Sequence, residues 1–216
     1  MKINLKKEFP LLVIVAIPFI YLGYVWNSLP EKVPMHWNYK GEIDRYGDKQ
    51  ELLLIPLILP FFVYLIFLIV PYIDPKKQIH KMGTKYHTFK FIFVLLMAVL
   101  ALIIIHSAID QSISNINYLT LLIGLLFSVI GNFSKTIKPN YFIGIRTPWT
   151  LENENVWKTT HFLAGKIWFI GGLLIVCSSL ILEKELAQSI FISITLIIAF
   201  IPIVYSYFKF KQITKD

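Results

Sequence analysis

The sequence predicts an all-α integral membrane protein: a six-transmembrane-helix bundle with one outward loop, able to form a small hairpin, and one structured cytoplasmic loop. Three observations predict it. Hydrophobic residues make up 56% of the 216, with a mean hydropathy of +0.64, whereas soluble domains average roughly 45–50% apolar residues. Six apolar runs approach the roughly 20 residues needed to cross a hydrocarbon core. The cations behind the net charge of +8 lie mostly between those runs, as topology determinants do. Direct nucleic-acid binding is therefore not expected.

The runs are Phe9 to Trp26, Leu52 to Ile73, Phe89 to Ile109, Ile116 to Phe133, Phe162 to Leu182 and Ser189 to Phe208. The first follows Lys2, Lys6 and Lys7 as a secretory signal would. Tyr24, Trp26 and Asn27 stand where small cleavage-site residues belong, so it reads as an uncleaved span. The third is free of charge from Phe91 to Ile105. The fourth is the weakest, shortened by Asn115 and Asn117. Pro18, Pro56, Pro60 and Pro202 fall inside spans, where neighbouring helices can satisfy the carbonyls they free.

Fifteen Lys and Arg fall on the side of the termini, against five on the other, with Lys166 inside the fifth span. This bias predicts that both termini are cytoplasmic. Trp26, Tyr72, Tyr205 and Tyr207 sit at span ends as interfacial anchors. A division into 1–75 (two helices with outward loop 27–51), 76–133 (a middle helix pair) and 134–216 (the structured loop and last two helices) follows from this layout. The single cysteine, Cys177, excludes a disulfide framework and a cysteine-based metal site. No cofactor is expected.

The outward loop contains VPMHWNYKGEIDRYGDK. Pro30 and Pro34 favour an extended entry, Met35 to Tyr39 alternates as a short strand does, and Lys40-Gly41 and Tyr46-Gly47 mark turns. His36, Trp37, Asn38 and Asp44 are its candidate ligand contacts; alternatively the loop is a cap with Trp37 and Tyr46 at the membrane interface. Near the outer end of span three, His106 and Asp110 share a helix face. With His36 and Asp44 they form a weak alternative metal site, against which His106 reads as a hydrogen-bonded bundle histidine.

The cytoplasmic loop reads KPNYFIGIRTPWTLENENVWKTTHFLAGKIW from Lys138. Gly144 suits a tight backbone approach. Thr147-Pro148 or Thr150 can begin a helix with Glu152 and Glu154 in its first turn, and Glu154 can pair with Lys158. Trp157, His161, Ala164, Trp168 and Gly172 form one stripe, on a helix expected to run unbroken into span five. Ala164 and Gly165 admit a close neighbour. Arg146 has no helical neighbour, leaving a carboxylate, a lipid phosphate or a helix C-terminus as its partner. The segment reads equally as a structural brace.

NYFIGIRTPWTLENENVWKTTHFLAGKIW resembles the signature of the SdpI family of bacterial toxin-immunity membrane proteins. The upstream VPMHWNYKGEIDRYGDK resembles the small domain of unknown function that commonly precedes it. The resemblance implies a non-enzymatic protein of the bacterial cytoplasmic (inner) membrane, protecting against a secreted toxic peptide and relaying to a cytosolic transcriptional repressor. It marks Asn140, Gly144, Arg146, Thr147, Pro148, Trp149, Trp157, His161 and Gly165 as signature, partner-binding positions. The outward ligand-facing candidates, read from the loop itself, are Pro34, His36, Trp37, Asn38, Gly41, Asp44, Tyr46 and Gly47. Two other classes compete: a metal-dependent intramembrane factor or enzyme, and a small transporter or channel. No His-Glu-x-x-His or Gly-x-Ser-x-Gly motif supports catalysis. Gly171-Gly172 could interrupt span five as a transporter requires, yet no carboxylate lies deep in any span.

Overall fold

An asparagine starts the first helix: Asn4 accepts from the Lys6 amide at 3.1 Å and caps α1 (Leu5–Val25). The structure, a computed structural model, describes residues 4–38, 42–109 and 116–214. After a short turn the chain forms an antiparallel hairpin of β1 (Lys32–Trp37) and β2 (Ile43–Asp48). It returns through α2 (Leu54–Pro56), a π-helical stretch (Leu57–Phe62) and α3 (Val63–Ile73). Then follow α4 (Thr84–Ile109), α5 (Ile116–Ser134), the short α6 (Pro148–Glu152), α7 (Glu154–Ile181) and α8 (Lys184–Ile213).

Among the described residues five helices are long and apolar enough to cross a membrane, and a further one, Tyr118–Ser134, is shorter. The bundle is the expected all-α membrane architecture. Large side chains such as Ile66, Leu174, Ile197 and Phe200 point outward with about half or more of their surface open. Lipid is the solvent that makes such a surface stable.

Prolines shape three of the helices. Between Pro56 and Pro60 the backbone widens to π-type hydrogen bonding, since Pro60 has no N–H to give. Pro71 frees the carbonyl of Phe67, and the Tyr86 hydroxyl donates to it at 2.5 Å. Pro202 likewise frees Ile198, whose carbonyl receives the Trp168 indole N–H at 2.7 Å. At Pro71 and Pro202 a neighbouring helix supplies the missing donor.

The hairpin is clamped to the bundle by apolar contacts. Val33 and Leu52 are fully buried, packing with Leu22, Leu29, Ile105 and Ala108 from the helix ends. Strand one starts at Lys32, earlier than Met35, and Tyr46-Gly47 lies within β2 instead of forming a turn. Cross-strand pairing of Val33 with Gly47 and Pro34 with Tyr46 keeps that stretch extended. The turn expected at Lys40-Gly41 lies outside the described residues.

The opposite end of the bundle holds a buried ion pair. Lys90 of α4 donates to both oxygens of Glu8 of α1, at 2.6 and 2.8 Å, and Tyr64 adds a bond at 3.2 Å. Lys90 is 1% exposed and Glu8 4%. Lys90 thus serves less as a topology charge than as an internal tie. Glu8 lies in the first turn of α1, not deep in a span, and the adjacent lysine compensates its charge.

Candidate functional site

The segment joining α5 to α7 is held by its own polar side chains. Asn140 is fully buried. Its amide nitrogen donates to the Lys138 and Ile143 carbonyls, and its oxygen accepts from the Phe142 and Ile143 amides. One side chain thereby closes a loop whose backbone would otherwise be unpaired. Gly144 follows with φ +112°, and a Cβ there would collide with His161 Nε2. Only glycine fits.

His161 receives the loop. The Ile145 amide donates to Nε2 at 3.0 Å, and Nδ1 lies 2.9 Å from the Trp157 carbonyl. Since Nε2 accepts, the hydrogen belongs on Nδ1: this is a neutral imidazole with both nitrogens used. The ring stacks on Trp157 with centroids 4.1 Å apart, and the Trp157 indole donates to the Ile137 carbonyl at 2.8 Å. Ser134 closes the frame by donating to the His161 carbonyl at 2.9 Å.

Thr147 caps α6 with Pro148 in its first turn, as expected, and its hydroxyl meets Ser206 of α8 at 3.0 Å. Trp149 lies edge-on against Tyr207 of α8, at 5.1 Å. Arg146 donates to the Tyr141 carbonyl at 2.6 Å, so its partner is its own loop, not a carboxylate or a helix end. Gly165 sits where α7 presses on α5; a Cβ on it would come within 2.9 Å of the Gly131 carbonyl.

Two expectations about this helix need correction. The helix that carries the stripe runs unbroken into span five, as expected, but it does not begin at Thr147 or Thr150: Asn153 adopts an extended conformation and caps α7, accepting from Asn155 and Val156. Glu152 therefore ends α6, and only Glu154 occupies the first turn of α7, paired with Lys158 at 3.0 Å. Nor do Gly171-Gly172 interrupt the span, because α7 is continuous through them. They are a contact surface, with Gly172 against Gly124 and Ser128 of α5.

Beneath the loop lies an apolar cavity of about 440 Å³, walled by Phe67, Phe89, Phe93, Ile130, Phe142 and Trp168. His161 and Gly144 reach its edge. Its chemistry suits hydrocarbon or an apolar side chain, with little to orient a polar substrate.

At the hairpin end His36 Nδ1 and Asp44 Oδ1 lie 2.6 Å apart on the exposed face. Asn38 brackets the turn through Glu42, donating from Nδ2 at 2.8 Å and accepting the Glu42 amide at 3.0 Å. Pro34 and Gly47 are buried between strands, Tyr46 is 53% exposed, and Trp37 pairs with Ile43. Gly41 and Asp110 lie outside the described residues. The weak metal alternative is not assembled: His106 Nδ1 is 2.8 Å from the Tyr21 hydroxyl while His36 faces Asp44. Among the described residues no three metal-ligating side chains gather. The 26 residues of α4 separate the hairpin from the loop by about 39 Å at 1.5 Å per residue.

The α5–α7 loop, with its polar staples and its histidine latch, is the feature to compare with known proteins. Residues 136–206 match the SdpI/YfhL protein family. The SdpI/YfhL match begins where α5 ends and takes in the loop, α7 and most of α8. Residues 13–59 match a domain of unknown function, DUF1648, which here comprises most of α1, the hairpin and the entry to the second span. The chain is similar to Immunity protein SdpI of Bacillus subtilis (strain 168), 24% identical over 209 residues, covering 97% of this chain and 98% of that one. An uncharacterized protein of Archaeoglobus fulgidus is 38% identical over 47 residues, covering 22% of this chain and 26% of that one. No solved structure matches.

Residues that sequence reasoning missed are the helix-side partners of the signature: Ser134, Ser206, Gly124 and Gly131. A small-residue spacing in α5, Gly124 to Gly131 with Ser128 between, was the available signal.

Proposed function

We propose that this chain is a non-enzymatic toxin-immunity protein of a bacterial cytoplasmic membrane, with both termini in the cytoplasm. The observation that carries the reading is similarity along nearly the whole length to Immunity protein SdpI. The orientation rests on the Lys and Arg bias of fifteen to five. A secreted toxic peptide meets the hairpin end, where His36, Asp44 and Tyr46 are open to it. The α5–α7 loop, latched by His161 to α7 and by Thr147 to α8, moves with those helices and offers a cytosolic repressor a surface that depends on their position.

The test is challenge of cells that express or lack the protein with supernatants of related strains, scoring survival and membrane depolarisation. Protection is expected only with the protein present. Arg146→Ala is expected to spare protection and impair any relay, while His36→Ala impairs protection, both at normal membrane levels. Equal sensitivity with and without the protein would sink the immunity reading.

A further inference from the structure

We propose that the cleft between the end of α5 and the outer face of α7 binds the phosphate of an anionic membrane phospholipid, through Lys135, Lys158 and Lys166. The cleft has a volume of about 540 Å³, and its walls include Phe162, Leu163 and Tyr205. Lys158, Phe162 and Lys166 follow one another at intervals of four, so they line one face of α7. Lys135 reaches the same cleft from just beyond α5.

Charge makes the case. Lys158 has Glu154 beside it, an exposed pair that screening weakens. Lys135 and Lys166 have no acid partner among the described residues, and the Lys166 ammonium lies over the Phe162 ring, 4.4 Å from its centroid. A second cleft shares Lys135 and Lys158 and adds Lys81, Lys85 and Lys138, against a single acidic wall residue, Glu154. The field there is strongly positive, and an anion is the complement it lacks.

Depth separates a lipid from a free phosphate. Lys166 is eight residues, about 12 Å, further along the spanning helix than Lys158. A cation at that depth, beside exposed Phe162 and Phe169, is one that lipid headgroups reach and bulk anions do not. The same surface that takes the phosphate offers aromatic and aliphatic contact to the first part of an acyl chain. The site stands independently of any toxin.

The experiment uses the full chain in nanodiscs of phosphatidylcholine with a minor fraction of phosphatidylglycerol. Lipid retained after detergent exchange is counted by native mass spectrometry. Wild type is expected to retain phosphatidylglycerol preferentially. The Lys135→Gln/Lys166→Gln double variant is expected to lose about twenty-five-fold in that preference, since each lysine near an anionic surface contributes about fivefold. Lys209→Gln/Lys211→Gln, with the same charge change at the same end of the bundle, should keep it. Equal retention by wild type and the first variant overturns the proposal. So does displacement of the lipid by inorganic phosphate, which would make the cleft a free-anion site.

Discussion

Lys90 and Glu8 meet 82 residues apart in sequence, with the lysine nitrogen 2.6 and 2.8 Å from the two carboxylate oxygens. They tie the start of α1 to the first third of α4, and Tyr64 joins from α3. His87 Nε2 lies 4.0 Å from the same carboxylate.

Because both charges are buried, removing one leaves the other uncompensated. Glu8→Gln or Lys90→Met should each destabilise the protein by about 3–5 kcal/mol. The Glu8→Gln/Lys90→Met double variant should be far less destabilised than the sum. Detergent-denaturation midpoints would measure this, and additive losses would show that the two residues act separately.

How much of this was legible in the sequence depends on the type of signal. The long apolar helices and the extended character of the hairpin strand were legible, because apolar length and alternation are local. The Glu8–Lys90 pair was not: Glu8 follows two lysines and resembles the solvated start of a helix, and Lys90 resembles a topology charge. Its flanking Phe89 and Phe91 were the hint of burial. In the signature loop the residues were picked out but their partners were not. Arg146 bonds within the loop, and Asn153 splits a helix that periodicity alone joins. An asparagine's choice between helix interior and cap depends on where the preceding chain must turn, which no local pattern encodes.

Gly144 and His161 should be coupled. Gly144→Ala puts a methyl group onto the imidazole and asks alanine to adopt φ +112°, so it should cost about 1–3 kcal/mol and free the loop from α7. His161→Ala removes the acceptor of the Ile145 amide and should cost a similar amount, roughly 1–3 kcal/mol. In the His161→Ala background the steric part of the Gly144→Ala penalty should vanish. Protease accessibility of residues 140–147 is the readout, and full protection in both single variants would count against the latch.

The α5–α7 contact rests on the absence of side chains. Gly131 and Gly165 face one another so closely that a Cβ on Gly131 would strike the Phe169 amide. Gly131→Val should force the helices apart and lower the yield of folded protein severely, whereas Gly23→Val, where nothing lies within 4 Å, should be tolerated. Comparing membrane-inserted, detergent-stable protein for the two variants decides the matter.

Trp168 and Pro202 form a compensated pair across α7 and α8. Proline deprives the Ile198 carbonyl of its helical donor, and the indole replaces it at 2.7 Å. Trp168→Phe keeps most of the ring and its contact with Phe127, but leaves that carbonyl unsatisfied in an apolar setting. The expected cost is about 1–2 kcal/mol, the range found for hydrogen bonds between membrane helices. Pro202→Ala restores an N–H four residues after Ile198 and so supplies the donor from within α8. The second substitution should therefore recover most of what the first loses, although each alone alters a buried contact. A double-mutant cycle by thermal unfolding in detergent measures the coupling directly. A coupling energy near zero would mean that Trp168 holds α8 by packing alone, and that the carbonyl finds its donor elsewhere.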